Sequence, residues 1–217
     1  MPAGSGRTGV LHLMDPINSA LRRVPAWLLY PLGALPVAWL FWAGIRGDLG
    51  VDPVKAIEHW LGLWGLWLLI ATLAITPLQR HAGLRLVRFR RAIGLLGFYY
   101  IAAHLAVWLV LDVQIPAQIW GDILKRPYIT IGMVAFVLMI PLALTSNNWA
   151  LRRLGGERWR RLHRLTYLVV PLGAVHFVMV VKGWQVEPFY YLAAILGLLA
   201  LRLRPGRMLR SRSAART

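Results

Sequence analysis

The chain has 217 residues, of which 58% are hydrophobic and only 15% charged, yet it carries a formal net charge of +17 and no cysteine. Soluble domains carry about 25% charged residues, so the missing water-facing charge and a mean hydropathy of +0.57 point to lipid as the solvent. The lack of cysteine excludes disulfides, thiolate-bound clusters and the C-x-x-C-H attachment of a c-type haem. The arginines flank apolar runs and form no amphipathic face, so they read as topology determinants and not as a nucleic-acid footprint.

Taken in chain order, Met1–Ala20 is polar and Gly-rich, with no apolar stretch of the kind a cleavable signal needs. Residues 1–25 are therefore expected to form a short, mobile cytoplasmic tail. Uncharged apolar runs follow at Trp27–Ile45, Trp60–Leu78, Ala92–Leu111, Pro127–Leu144 and Leu165–Val181. A sixth, Trp184–Leu201, carries Glu187, which is expected at headgroup level. A membrane-crossing helix needs roughly 17–25 residues, so the pattern predicts an all-α bundle of six transmembrane helices. Asp52-Pro53 fits an N-cap followed by proline at the first helical position. Pro31, Pro36, Pro141 and Pro171 fall within spans, where neighbouring helices re-satisfy the freed backbone groups. One domain over residues 26–203 is expected, followed by a basic cytoplasmic tail at 204–217.

Twenty of the 25 Lys and Arg residues lie in the N-terminal tail, in the connections between spans two and three and between spans four and five, and in the C-terminal tail. Arg46, Lys55, Lys125, Arg126 and Lys182 lie on the other side. The positive-inside rule then puts both termini in the cytoplasm, which an even number of spans satisfies.

Ionisable groups inside a span are functional candidates. His104 and His176 both lie just past the midpoints of spans that start in the cytoplasm, at one depth, about 4–5 Å outward of the membrane centre at 1.5 Å per residue. Two neutral imidazoles at equal depth on two helices are what bis-histidine haem ligation requires, and Ala102, Ala103, Gly173 and Ala174 leave room for a porphyrin. The bland alternative is a pair of histidines bonded to backbone carbonyls or to each other. His163 precedes His176 by thirteen residues, about 140° around a straight helix, and the position thirteen before His104 is Arg91. Such spacing leaves His163 open as a ligand, a flavin contact or an interfacial residue beside Arg164. His59 opens span two and is a candidate for a haem propionate or for an interfacial aromatic belt. His12 and His81 read as surface residues, and Trp27, Trp60, Trp120 and Trp184 as membrane anchors.

Several segments resemble the MsrQ (YedZ) family. They are Asp-Pro-Val-Lys-Ala-Ile-Glu-His at 52–59, Leu-Ala-Ile-Thr-Pro-Leu at 73–78, Arg-Arg-Ala-Ile-Gly-Leu at 90–95 and Arg-Pro-Tyr-Ile-Thr-Ile-Gly at 126–132. Leu-Thr-Ser at 144–146, Trp-Arg-Arg-Leu-His-Arg-Leu-Thr-Tyr-Leu at 159–168, His104 and His176 complete the set. The resemblance implies a ferric-reductase-like transmembrane domain in the bacterial inner membrane, an electron carrier and not itself the site of sulfoxide reduction. It implies haem b, one with a second left open, held by His104, His163 and His176, together with FMN as a further cofactor. Electrons would come from quinol or a cytoplasmic flavin reductase and pass to a periplasmic molybdopterin enzyme, MsrP, that repairs oxidised methionine in envelope proteins. Relative to NADPH oxidases, the chain lacks a flavin and nicotinamide domain and has Arg91 where an inner histidine is expected. Arg90 and Arg91 are candidates to pair with a propionate or a flavin phosphate. Two other readings stay open: a stand-alone ferric or quinone reductase, and a histidine-relay transporter, which the near absence of carboxylates in the spans disfavours.

Overall fold

The computed structural model describes residues 14–181 and 185–202. His12, Lys182, Trp184 and the tail at 204–217 lie outside the described residues, and so do the expectations attached to them. The described chain is all-helical. Its elements are α1 (Asp15–Arg23), α2 (Leu29–Arg46), α3 (Pro53–His81), α4 (Arg90–Val107), α5 (Pro116–Lys125), α6 (Pro127–Leu144), α7 (Asn148–Leu162), α8 (Thr166–Val180) and α9 (Glu187–Ala200). Five candidate membrane-crossing segments are long and apolar enough: Ala26–Arg46, Pro53–His81, Val87–Val113, Pro127–Leu144 and Asn148–Val180. The fourteen residues of α9 are apolar but short.

Boundaries differ from the sequence reading where polar residues extend an apolar helix. The α3 helix starts at Pro53, not Trp60, because the Asp52 side chain accepts the Lys55 backbone N–H at 3.0 Å and caps the first turn. It runs on to an exposed His81, which is therefore a helix terminus and not a loop residue. Beyond α4, Trp108–Val113 continues as a π-helix. The connection between spans three and four holds α5. The Arg-rich connection between spans four and five is α7, interrupted at Gly155, whose φ of 75° breaks the helical path. The N-terminal segment holds α1, docked when Asn18 donates to the Gly83 carbonyl at 3.0 Å and accepts from the Arg85 N–H at 2.9 Å.

The centre of the bundle is α3. Leu61, Leu73 and Ile75 on it are all but inaccessible. One apolar cluster joins Leu66, Leu69 and Leu73 to Met139 of α6, Val169, Val170 and Ala174 of α8 and Ile195 of α9. A second joins Leu40 of α2, Ile57 and Leu61 of α3, and Tyr100 and Val107 of α4. Small residues let α3 and α4 approach closely: a Cβ at Gly65 would come within 2.6 Å of the Ile101 side chain. By contrast α2 presents Trp39 and Trp42 outward, each 59% exposed, as expected where lipid and not protein covers a helix.

Proline sets one tertiary tie. Pro77 lacks an N–H, so it cannot serve the carbonyl four residues back, that of Leu73. The Arg202 guanidinium supplies the missing donor to Leu73 and also reaches the Thr72 carbonyl at 3.4 Å and the Tyr167 hydroxyl at 2.9 Å. One side chain thus ties the end of α9 to α3 and to the start of α8, while Phe177 and Tyr191 meet at the other end of the α8–α9 pair. Because the bond is charge-assisted, Arg202→Leu should cost about 2 kcal/mol. In a Pro77→Ala background, where residue 77 donates to Leu73 itself, it should cost distinctly less. Thermal unfolding in detergent measures both, and equal losses in the two backgrounds would contradict this role for Arg202.

Candidate functional site

His104 on α4 and His176 on α8 meet across the upper bundle, with ring centroids 6.3 Å apart and ring planes at 79°. The Nδ1 of His104 is 2.8 Å from the Glu58 carbonyl oxygen in the first turns of α3. The Nδ1 of His176 is 2.7 Å from the Tyr128 carbonyl oxygen in the first turn of α6. A carbonyl can only accept, so in each ring Nδ1 carries the proton and, in the neutral imidazole, Nε2 keeps its lone pair. The bonds to carbonyls that formed the bland alternative are therefore present, and they occupy only one nitrogen of each ring. A metal-ligating histidine almost always donates its other N–H in this way.

The spacing fits one metal atom. A metal–imidazole bond of about 2 Å on each side, with ring centroids roughly 1.1 Å behind the ligating nitrogens, puts the centroids about 6 Å apart. A cavity of about 530 Å³ runs past both rings, within the range of small-molecule sites. Its inner part is apolar, with Leu66, Leu69, Ala135, Met139 and Val169. Its mouth is polar, with Lys55, Glu58, His59, Asp112, Gln118, Asp122 and Arg126. There Lys55 Nζ bonds Glu58 at 3.1 Å and Asp112 at 2.5 Å, linking the start of α3 to the end of the π-helix after His104. Arg126 pairs with Asp122 at 3.1 Å. His59 lines this mouth, its ring 5.8 Å from Trp60 and 6.0 Å from Phe177. An apolar interior that opens on a polar, ion-paired mouth suits a flat apolar ring with polar groups at its edge.

His163 stands elsewhere. It opens a 3-10 turn, His163–Leu165, between α7 and α8, so the straight-helix angle to His176 does not apply. The Thr145 hydroxyl, 3.0 Å from its Nε2, donates its one proton to the Pro141 carbonyl at 2.6 Å. It must therefore accept from His163, whose Nε2 carries the proton. Trp159 stacks on the ring with centroids 3.9 Å apart and donates to the Thr145 carbonyl at 2.9 Å. These contacts explain why Trp159, His163 and Leu144-Thr145-Ser146 occur together: they dock α7 onto the end of α6. His163, Arg90 and Arg91 line a second cavity of about 760 Å³, with Arg160, Arg164 and Tyr167. Arg91 also donates to the Asn148 side chain at 2.8 Å. The two cavities share Leu69, Met139 and Val169 as a common wall. Among the described residues no group of three or more His, Cys, Asp or Glu side chains is placed to hold a metal ion.

Of the sequence candidates, then, His104, His176 and His59 gather at the first cavity, and His163, Arg90 and Arg91 at the second. Sequence reasoning missed the carbonyls of Glu58 and Tyr128, because any residue type supplies a carbonyl. It also missed the Lys55–Asp112 tie, although both lie at span ends on one side.

The model for "Ferric reductase like transmembrane component" matches residues 61–174 of the chain. A Brucella anthropi protein named protein-methionine-sulfoxide reductase heme-binding subunit MsrQ is 51% identical over 178 residues, covering 82% of this chain and 80% of that protein. Proteins of the same name from Brucella ovis and Brucella canis are each 50% identical over 191 residues, 87% of this chain and 86% of theirs. No solved structure matches.

Proposed function

The chain belongs to the MsrQ family of ferric-reductase-like membrane proteins, and from that premise we propose that it is the haem-binding membrane subunit of a methionine sulfoxide reductase system. The observation that carries this reading is the His104–His176 pair: two neighbouring rings, each with Nδ1 held by a carbonyl, at a spacing that one iron atom would span. A haem b held there would supply a one-electron couple in the outer half of the membrane. His104 and His176 would hold its iron, and the Glu58 and Tyr128 carbonyls would hold the tautomers of these two rings. Lys55, His59 and Arg126 stand at the mouth where two propionates would emerge. The recipient of the electrons, on this reading, is the periplasmic molybdopterin reductase MsrP.

The inner cavity is proposed to take a second redox cofactor. One outer haem leaves most of the inner half of a hydrocarbon core about 30 Å thick uncrossed. With Nε2 of His163 already donating to Thr145, the lining suits a flavin phosphate at Arg90, Arg91 and Arg160 better than a second haem. The shared wall of Leu69, Met139 and Val169 would leave the two cofactors one side-chain layer apart. Reductant from quinol or a cytoplasmic flavin reductase would enter on this side. The proposed topology is six spans in the bacterial inner membrane, with α9 as the sixth and both termini cytoplasmic.

Replacing either ligand should remove the low-spin haem absorption: His104→Ala and His176→Ala each lose it, whereas His12→Ala keeps it. Unchanged low-spin spectra in both ligand variants would overturn the assignment. His163→Ala should keep the outer haem spectrum while losing the second cofactor or slowing transmembrane electron transfer. A preparation with one haem, no flavin and a normal rate in His163→Ala would instead favour a quinol site close to a single haem. Reporter fusions after Arg85 and Arg158 should read cytoplasmic and those near Asp48 and Asp122 periplasmic; a periplasmic C-terminus would remove α9 as a crossing helix.

A further inference from the structure

Gly62 and Gly132 share one local design. On α3, Glu58 offers its carbonyl to His104, and Gly62 lies four residues on, one turn further along the same face. On α6, Tyr128 offers its carbonyl to His176, and Gly132 again lies four residues on. A Cβ at Gly62 would stand 3.1 Å from Nδ1 of His104 and 3.3 Å from its Cε1. A Cβ at Gly132 would stand 2.8 Å from Nδ1 of His176 and 3.0 Å from its Cε1. Both face a histidine ring, whereas Gly33, Gly44, Gly65 and Gly97 face the side chains of Leu96, Ile57, Ile101 and Leu69. An aliphatic side chain yields by changing rotamer, but these imidazoles have no such freedom while Nδ1 holds its carbonyl. Cε1 lies between Nδ1 and Nε2, so a methyl group pressing there must break the carbonyl bond or swing Nε2 off line. Glycine in a helix also costs roughly 1 kcal/mol relative to alanine, a cost repeated at both equivalent positions.

We propose that Gly62 and Gly132 are paired positioning residues, seats that set the orientation of the two axial imidazoles and hence the near-perpendicular arrangement of their planes. This rests on His104 and His176 being the haem ligands, and it adds that ligand orientation is imposed by the absence of two side chains. Near-perpendicular imidazole planes give low-spin ferric haem a highly anisotropic electron paramagnetic resonance signal, dominated by one large-g feature, whereas parallel planes give a rhombic three-line spectrum.

The full-length, haem-loaded protein in detergent is compared with Gly62→Ala, Gly132→Ala, Gly197→Ala and the two ligand variants. Haem content, the ferric resonance signal and the midpoint potential are read for each. Gly197 has open space around its Cβ position, so Gly197→Ala should match the wild type. Gly62→Ala asks the ring to move by only a few tenths of an ångström; it should fold, keep haem, and show a shifted large-g feature and a shifted potential. Gly132→Ala should show a larger shift, conversion to high spin, or haem loss. If His104→Ala and His176→Ala lose low-spin haem while Gly62→Ala keeps the wild-type signal and potential, the seats are refuted and the ligands stand. A rhombic three-line spectrum in the wild type would refute them independently of any variant. Survival of low-spin haem in the ligand variants would refute the ligand assignment instead.

Discussion

The site depends on two hydrogen bonds that do no chemistry themselves. Each joins a ring Nδ1–H to a main-chain carbonyl near the N-terminal end of a membrane helix, Glu58 for His104 and Tyr128 for His176. In a medium without water, an imidazole N–H must find an acceptor in protein. By taking Nδ1, these carbonyls decide the tautomer, the ring orientation and which nitrogen faces the cavity. The remaining architecture serves to hold two helix starts and two ring-bearing helices in register. Asp52 caps α3 so that Glu58 already lies within the helix, and the Lys55–Asp112 pair ties that turn to the segment beyond His104. The apolar cluster around Leu69, Met139 and Val169 packs α3, α6 and α8 together beneath the rings.

The two halves of the molecule treat histidine differently. At the first cavity both rings use Nδ1 for a carbonyl and lie with their centroids 6.3 Å apart. At the second cavity, His163 donates from Nε2 to Thr145 and stacks on Trp159, which makes it part of the joint between α6 and α7. Arg90, Arg91, Arg160 and Arg164 gather around the second cavity, a lining whose guanidinium forks would suit a negatively charged group. The cavity at His104 and His176 and the Arg-lined cavity at His163 are separated by Leu69, Met139 and Val169, so on the proposed reading they would be two stations across the bundle and not a single site.

Much of this was legible in the sequence because it depends on residue type. Lipid-facing helices need apolar runs, so their order and approximate limits followed from hydropathy. His104 and His176 stood out because a histidine at mid-span is costly without a role, and their equal depth followed from counting residues. What escaped depends on backbone or on small polar motifs. The capped start of α3 and the helices α5 and α7 lie in polar or mixed segments, where hydropathy sees only a connection, and the π-helix at the end of the third apolar run differs from an α-helix only in its backbone bonding. The role of His163 hinged on a 3-10 turn and on the hydroxyl of Thr145, neither of which helical spacing reveals. The carbonyls of Glu58 and Tyr128 have no sequence signature of their own.

An experimental map of the haem-loaded protein with iron located by anomalous scattering tests the central claim most directly. The account predicts an iron peak between His104 and His176, about 2 Å from each Nε2, with both Nδ1 atoms still bonded to the carbonyls of Glu58 and Tyr128. Iron bound only beside His163, or His104 and His176 turned so that Nε2 meets a carbonyl, would contradict it.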